Sequence, residues 1–466
     1  MKAFLIAFLI LTATDLAFAG DYRCLKIAYV SVPEGMVIAP GRNDGINRLY
    51  VAGTKPKEIT WNGSVWDTLA MGETIMARSI ATGFGRNDGV WRLYIGDGWG
   101  ARLWEYSYEG GIWSRVMIDD RTGGNIYAVG LGDIKNDDTI RVVSAGYDSI
   151  LIAYTYLPGA GTWLQDTLGK TNDMIMGNIF IGRGRNDDTN RVYAGGSNWA
   201  YECTFRGNEW NINTIFWRPY KVLAGCLKND TINRLYATTY EYTWNGNVWV
   251  SSDTLDFDPK GYYVFMGHGR GDSINRLYLT GGFNDPVGED SAKVYFYEYT
   301  YADTAWLRKE LSVVIWNPEG YPRSSINHLV VGNARNDGKN RVYGSCGPND
   351  IFEWEWDDTL PGVAGEPQDE RQQANIAGIA AMPNPFRGKA VINYNLPHSG
   401  YVGLDVYDIS GRLVSGNSLG KKQAGAHSFA WGGKNSQGRS MPTGVYFVSL
   451  CVDGKQVATV KMVKVR

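Results

Sequence analysis

A single turn sequence recurs seven times in this chain of 466 residues and constrains its fold more than any other feature. The first copy reads Gly41-Arg-Asn-Asp-Gly-Ile-Asn-Arg-Leu-Tyr50. The leading basic residues of the seven copies are Arg42, Arg86, Lys135, Arg185, Lys228, Arg270 and Arg335. Successive copies lie 42 to 50 residues apart, except for a last step of 65. Short β-rich units with a period of about 40–50 residues are typical of a β-propeller, so the sequence predicts seven blades.

Composition supports an all-β chain. Aromatic residues make up 13% and glycines number 58, which suits strands joined by tight turns. Lys and Arg (46) nearly balance Asp and Glu (48), so the chain lacks the basic excess usual in nucleic-acid-binding proteins.

The first blade predicts four antiparallel strands joined by hairpins. These strands are residues 36–40, 48–52, 57–61 and 65–69. The seventh blade has no fourth strand after Trp356, whereas residues 24–30 form a strand-like run that precedes the first blade. We therefore expect residues 24–30 to complete the seventh blade, which closes the ring and removes two exposed strand edges. The long last step predicts surface loops at 283–293 and 316–324.

The outer half of each unit also repeats. An aromatic residue, a turn and a tryptophan recur, as in Trp61 and Trp66, and we expect them to pack between blades. Three residues before the first aromatic lies a glutamate in six blades: Glu58, Glu105, Glu202, Glu241, Glu298 and Glu353. The third blade has Ala153 there.

Every copy of the turn carries an aspartate followed four residues later by an arginine. The pairs are Asp44 and Arg48, Asp88 and Arg92, Asp137 and Arg141, Asp187 and Arg191, Asp230 and Arg234, Asp272 and Arg276, and Asp337 and Arg341. The turn resembles the calcium loops of integrin-type (FG-GAP) propeller repeats. In this chain, however, Pro40, Arg42 and Arg48 stand at three of the ligand positions that the resemblance implies, so we expect no metal and no cofactor. We expect instead that the aspartate accepts from backbone N–H groups, while the arginine binds the aspartate or stacks on an aromatic ring.

The seven leading basic residues have two interpretations. They could form an anion-facing ring, or they could be turn charges balanced by nearby aspartates.

No catalytic motif stands out. The sequence contains four histidines, no G-x-S-x-G and no H-E-x-x-H, and we expect His268 and His328 to be structural. Glu289 and Asp290 interrupt the repeat and are the first place where a catalytic carboxylate pair would be sought. No catalytic residue is assigned.

The N-terminus predicts export. Lys2, the apolar run 4–11 and Ala17-Phe-Ala19 are typical of a signal peptide cleaved before Gly20, and no later stretch of 18 apolar residues follows. The five cysteines are scattered and form no C-x-x-C, so we assign neither a metal site nor a disulfide pairing.

The tail has a different composition. Residues 358–378 are polar and predict a linker, and alternating strands after residue 379 predict a small Ig-like β-sandwich. The segments Met382-Pro-Asn-Pro-Phe386, Tyr407-Asp-Ile-Ser-Gly-Arg412 and Pro442-Thr-Gly-Val-Tyr-Phe447 resemble the C-terminal type A sorting domain of type IX secretion substrates, and also the Ig-like domain of flagellar hook-capping proteins. The resemblance implies that residues 380–466 engage type IX secretion machinery in a bacterium.

The predicted organisation is a signal peptide (1–19), a seven-bladed propeller (20–357), a linker (358–378) and a C-terminal sorting domain (379–466). The function that we favour is a secreted or surface-attached module that binds a glycan or a protein without catalysis. Two alternatives stay open: an extracellular hydrolase or lyase acting on polysaccharide, and a structural envelope component.

Overall fold

The structure is a computed structural model that describes residues 21–465, apart from 122–123, 218–220, 229, 238–239, 255–260, 282–283, 289–290, 303–304, 317–325, 347–348, 359–378, 383–385, 397–398, 410–411, 424 and 454. The described secondary structure consists of strands, as predicted. No helix in this part of the chain is long and apolar enough to cross a membrane. The predicted signal peptide lies outside the described residues.

The first five blades are four-stranded antiparallel sheets whose strands lie in chain order from the axis outward. Blade 1 consists of β2 (Gly35–Ala39), β3 (Arg48–Ala52), β4 (Lys57–Trp61) and β5 (Trp66–Ala70). Blade 2 consists of β6 (Ala77–Gly83), β7 (Arg92–Asp97), β8 (Arg102–Glu109) and β9 (Ile112–Asp120). Blade 3 consists of β10 (Ile126–Gly132), β11 (Arg141–Gly146), β12 (Ile150–Leu157) and β13 (Thr162–Lys170). Blade 4 consists of β14 (Ile175–Gly182), β15 (Arg191–Gly196), β16 (Trp199–Arg206) and β17 (Glu209–Trp217). Blade 5 consists of β18 (Val222–Gly225), β19 (Arg234–Ala237), β20 (Tyr240–Trp244) and β21 (Trp249–Thr254).

Blade 6 has five strands. They are β22 (Gly261–Gly267), β23 (Arg276–Gly281), β24 (Asn284–Gly288), β25 (Ser291–Ala302) and β26 (Ala305–Trp316). The first half of β25 pairs with β24 and its second half pairs with β23. Much of the first predicted loop is therefore a strand hairpin, because residues 284–288 find ladder partners in an extended β25. Most of the second predicted loop lies outside the described residues.

The N-terminal strand completes the seventh blade. This sheet has the order β27 (Ile326–Gly332), β28 (Arg341–Cys346), β29 (Asp350–Asp357) and β1 (Asp21–Tyr29). Cys24 lies opposite Trp354 in an antiparallel register, which confirms the predicted pairing. Innermost strands contact each other from blade to blade, and β27 returns to β2, so the ring is closed.

The second strand of each blade lies in the core, because it has a strand on either side and a neighbouring blade on each face. All five residues of β3 are buried, for example. Tyr50 and Leu93 from adjacent blades belong to one apolar cluster, so packing between blades holds the ring together.

The C-terminal unit contains two sheets that share one apolar core, including Ile392, Leu404 and Val448. The first sheet has the order β30 (Ile379–Met382), β31 (Ala390–Leu396) and β34 (Gly425–Trp431). The second has the order β33 (Leu413–Lys422), β32 (Gly400–Asp408), β35 (Gly444–Val452) and β36 (Lys455–Lys464). This arrangement confirms the predicted Ig-like sandwich.

Candidate functional site at the propeller axis

The repeated turn connects the first and second strands of each blade, and its aspartate and arginine hold it together. In blade 4, the terminal nitrogens of Arg191 donate to the Asp187 carboxylate at 2.6 and 2.7 Å, and the Thr189 N–H donates to it at 3.2 Å. The hydrogen bond from Arg191 is the main cause that lowers the pKa of Asp187. All seven Asp and Arg pairs named above form this ion pair. In each blade, a cation from the same chain thus neutralises the turn carboxylate.

The leading basic residues join each blade to the next. Arg42 donates to Glu58 of its own blade through Nε at 2.9 Å, and its guanidinium carbon lies 4.3 Å from the ring centre of Tyr108 in blade 2. We call this arrangement the interblade clasp. The other clasps place Arg86 over Tyr156, Lys135 over Phe205, Arg185 over Trp244, Lys228 over Tyr301, Arg270 over Trp356 and Arg335 over Trp61. The seventh clasp returns to blade 1, so the series is circular.

Each clasp cation also has a carboxylate partner, and in six blades it is the repeated glutamate. The balancing group therefore comes from the third strand rather than from the aspartate of the turn. An anion-facing role for the leading basic residues stays a prediction, and it would require an anion to displace these carboxylates.

Blade 3 supplies the missing carboxylate from another strand. Ala153 replaces the repeated glutamate, and Asp166 lies directly opposite it on β13. The Asp166 carboxylate lies 2.6 Å from Lys135 Nζ and accepts from Trp210 Nε1 at 3.2 Å. In blade 1, Glu58 likewise accepts from a tryptophan of the next blade. In blade 3 the carboxylate therefore lies on the fourth strand instead of the third, and the clasp is preserved.

Sequence reasoning missed a second set of links, which the asparagines of the turns provide. The Asn43 amide accepts from the Trp91 N–H at 2.6 Å and donates to the Trp91 carbonyl at 3.1 Å, and so joins blade 1 to blade 2. Asn43 adopts a left-handed backbone with φ of 61°, which asparagine tolerates better than most residues. Asn87, Asn136, Asn186 and Asn336 bind the following turn in the same way. Asparagine follows the leading basic residue in six of the seven copies, and this repetition could have indicated a structural role for it.

The opposite end of the ring carries residues that do not repeat. We call it the loop end; it is formed by the connections after the second strands, such as residues 98–101 and 147–149, and by the passages between blades. One residue from each blade lies near the start of its innermost strand at this end: Glu34, Arg78, Tyr127, Asn178, Lys221, Tyr263 and His328. We call these residues the axial cluster. Each stands seven or eight positions before the leading basic residue of its blade, and the only type that recurs is tyrosine.

Side chains of the axial cluster meet across the axis. Lys221 Nζ of blade 5 lies 3.3 Å from His328 Nδ1 of blade 7, although blade 6 stands between them along the ring. His328 Nε2 lies 3.9 Å from a Glu34 carboxylate oxygen, and the other oxygen of Glu34 binds Arg78. The Arg78 guanidinium lies over the ring of Tyr127. Sequence reasoning treated His328 as a lone histidine, because its partners come from distant blades.

Burial controls the charges in this cluster. Lys221 is 8% exposed, and burial lowers its pKa to about 7 although the negative Glu34 opposes the shift. Burial and the nearby Lys221 lower the pKa of His328 to about 4, so the imidazole is neutral at pH 7. Burial acts to raise the pKa of Glu34, but His328 and Arg78 together lower it below its usual value. Glu34 is therefore ionised, and the cluster contains two cationic side chains for one anionic side chain when Lys221 is protonated.

Exposed aromatic rings surround part of the loop end. They are Trp99, Tyr147, Trp199 and Tyr240, from four consecutive blades. The Trp99 loop packs on Arg78, since a Cβ at Gly98 would lie 2.4 Å from Arg78 Cγ. Asp97 fixes this loop by accepting from the Trp99 and Gly100 N–H groups. Each of these rings lies in the connection between the second and third strands of its blade or at the first residue of the third strand.

Other predicted positions stand apart from this cluster. The His268 carbonyl accepts from the Gly271 N–H within its own turn. Glu289 and Asp290 lie outside the described residues. All five cysteines are free thiols. Within the described ranges, no three His, Cys, Asp or Glu side chains come close enough to hold a metal ion together.

Comparison with known proteins finds a family match within the C-terminal domain. Residues 387–455 match the FlgD Ig-like domain family. The structure of FLGD from P. aeruginosa is 29% identical over 19% of this chain and 74% of its own, with a TM-score of 0.15. No curated protein sequence matches the chain.

Two further solved structures are similar to larger parts of the chain. BBS1N, solved in complex with ARL6DN, is 13% identical and covers 73% of this chain and 94% of its own, with a TM-score of 0.46. PorZ, a bacterial surface component of the type-IX secretion system of Porphyromonas gingivalis, is 14% identical and covers 92% of this chain and 59% of its own, with a TM-score of 0.38.

Proposed function

We propose that this chain is an exported cell-surface module whose propeller binds a glycan at the loop end without catalysis, and whose C-terminal domain directs export through a type IX-like pathway. The contrast between the two ends of the ring carries the proposal. At the turn end, asparagine bridges join five pairs of neighbouring turns in the described residues, and the clasps link every blade to the next, so the polar groups of the turns are used in building the ring. At the loop end, the axial cluster differs from blade to blade and lies among exposed aromatic rings.

The chemistry of the loop end suits a sugar ligand. Exposed faces of Trp99 and Tyr147 offer apolar area to the C–H groups of a sugar ring, and the axial cluster beside them offers hydrogen bonds to hydroxyl groups. Glu34 is held in an ion pair by Arg78. This pairing commits the carboxylate to structure rather than to acid–base chemistry, which favours binding over hydrolysis.

A glycan array probed with the full chain tests the binding role. Replacing Trp99 or Tyr147 by alanine should weaken the best glycan at least about tenfold, because each change removes an exposed stacking surface. Tyr401→Ala is the matched control, since Tyr401 is an exposed ring of the C-terminal unit. No glycan bound, or equal loss in the control, would refute the assignment. Cleavage of a bound polysaccharide would support the hydrolase or lyase alternative instead.

The export role rests on the C-terminal domain. Residues that carry its sequence resemblance stabilise its turns: the Asp408 carboxylate accepts from the Arg412 N–H at 3.1 Å and Nε at 3.0 Å, and the Tyr446 hydroxyl donates to the Pro442 carbonyl. In a bacterium with a type IX system, we expect the full chain to be accessible to external protease. A secreted reporter that carries residues 358–466 should also reach the surface, and Asp408→Ala in that reporter should reduce the surface fraction. A reporter that stays in the periplasm would contradict this role.

A further inference from the structure

Two side chains of the axial cluster present more hydrogen-bond donors than the acceptors that face them. Arg78 and Lys221 bring nitrogen donors, whereas Glu34 and the Nδ1 atom of neutral His328 are the acceptors that face them. Arg78 Nε is buried and has no hydrogen-bond partner among the described residues. Buried donors are normally satisfied, so the cluster is short of an acceptor.

Lys221 shows the same shortage. Its ammonium group lies over the rings of Phe265 at 4.1 Å and Tyr263 at 5.2 Å, and His328 is its hydrogen-bond acceptor in the described part of the chain. The remaining N–H donors have no acceptor there. A buried cation with one neutral partner would be stabilised by an anion.

The side chains of the cluster differ in their exposure to solvent. Side-chain exposure rises from Lys221 through His328 to Glu34 and Arg78. Arg78 lies under the Trp99 loop and over the Tyr127 ring, and Tyr127 contacts Tyr147 with 5.0 Å between ring centres. A ligand that stacks on Trp99 or Tyr147 is therefore next to Arg78.

We propose that the axial cluster binds the carboxylate of an acidic sugar, with Lys221 and Arg78 as donors and with Trp99 and Tyr147 as stacking surfaces for the adjacent sugars. The inference rests on the proposed glycan-binding function and narrows it to uronic-acid-containing glycans. A carboxylate supplies the acceptor oxygens and the negative charge that the cluster needs, and an anionic ligand forms stronger hydrogen bonds with cationic donors than a neutral one. The exposed rings favour a glycan over an acidic peptide.

Calorimetry on the full chain with an oligogalacturonate and with its methyl ester tests the inference. The two ligands share one sugar backbone and differ in charge. We expect the acid to bind at least about tenfold more tightly than the ester. Lys221→Met should abolish this preference by weakening the acid more than the ester, and Trp99→Ala should weaken both ligands by a similar factor. Arg78→Gln, at the exposed side of the cluster, replaces Lys221→Met if the latter does not fold.

Proton uptake on ligand binding distinguishes a lysine that binds the ligand from a lysine with a purely structural role. At pH 8 the neutral Lys221 amine should gain a proton when a carboxylate binds beside it, so the measured heat should depend on the ionisation enthalpy of the buffer. His328, Glu34 and the two rings face this amine, and Arg78 acts through Glu34. Lys221→Met should show no such dependence.

The outcomes separate the two proposals. Equal affinity for acid and ester, or a preference that survives Lys221→Met, would overturn the acidic-sugar assignment while glycan binding stands. Binding of neutral glycans alone would do the same. Binding of acidic peptides but no glycan would overturn both.

Discussion

Replacing Glu58 by glutamine should lower the free energy of unfolding of the propeller by about 3 kcal/mol. The carboxylate is 1% exposed and accepts from Arg42 Nε at 2.9 Å and from Trp113 Nε1 at 3.1 Å. Glutamine keeps one acceptor oxygen but turns an amide N–H towards Arg42. Breaking a buried ion pair costs about 3–5 kcal/mol, and hydrogen bonds to charged groups contribute about 1.5–3 kcal/mol each. We take the lower part of this range because Arg42 is partly exposed and can regain water.

Guanidinium chloride unfolding of the full chain, followed by tryptophan fluorescence, measures this loss. Asp166→Asn breaks the equivalent pair in blade 3, but that carboxylate is about one-third exposed, so we expect a loss of about 1 kcal/mol. Asp188→Asn removes a fully exposed carboxylate and should change stability by less than about 0.5 kcal/mol. A loss below about 1 kcal/mol for Glu58→Gln, or one no larger than that of Asp166→Asn, would refute the clasp as a buried ion pair.

Three further outcomes are expected. Asp166→Ala should lower the unfolding midpoint, and adding Ala153→Glu should restore part of it, because the other six blades hold their carboxylate at the position of Ala153. No recovery would contradict the view that Asp166 on the fourth strand replaces the glutamate of the third strand. The free energy of unfolding of the wild-type protein should rise as the pH increases from about 7 towards 10. The reason is that a lysine in the unfolded chain keeps its proton up to a pKa of about 10.4, whereas Lys221 in the folded protein releases its proton near pH 7. Unfolding measured over the same pH range should show no such rise for Lys221→Met. Tyr22→Phe removes the hydroxyl that β1 donates to Glu298 of blade 6, so the thermal midpoint should fall by an amount equivalent to about 1–2 kcal/mol, and an unchanged midpoint would argue against this closing contact.

Features that depend on neighbours along the chain could be read from the sequence. The spacing of the turns gave the number of blades, and a spacing of four residues brought each turn aspartate to its arginine within one hairpin. The strand at residues 21–29 was predictable because the last blade lacked a strand and an edge without a partner is unfavourable. The C-terminal sandwich was predictable from alternating strands and from its turn sequences.

Contacts between blades were decided by the tertiary structure. The clasp of Arg42 on Tyr108 and the bridge from Asn43 to Trp91 join residues about 50 or more positions apart. The local sequence does not specify which side chain of the next blade each of these residues contacts. Lys221 and His328 are 107 positions apart and look unrelated in the sequence. A closed ring brings the same position of every blade to one axis, so unlike residues at that position become neighbours. Repetition along the chain therefore determined the scaffold, and the convergence of its blades brought together the residues of the candidate site.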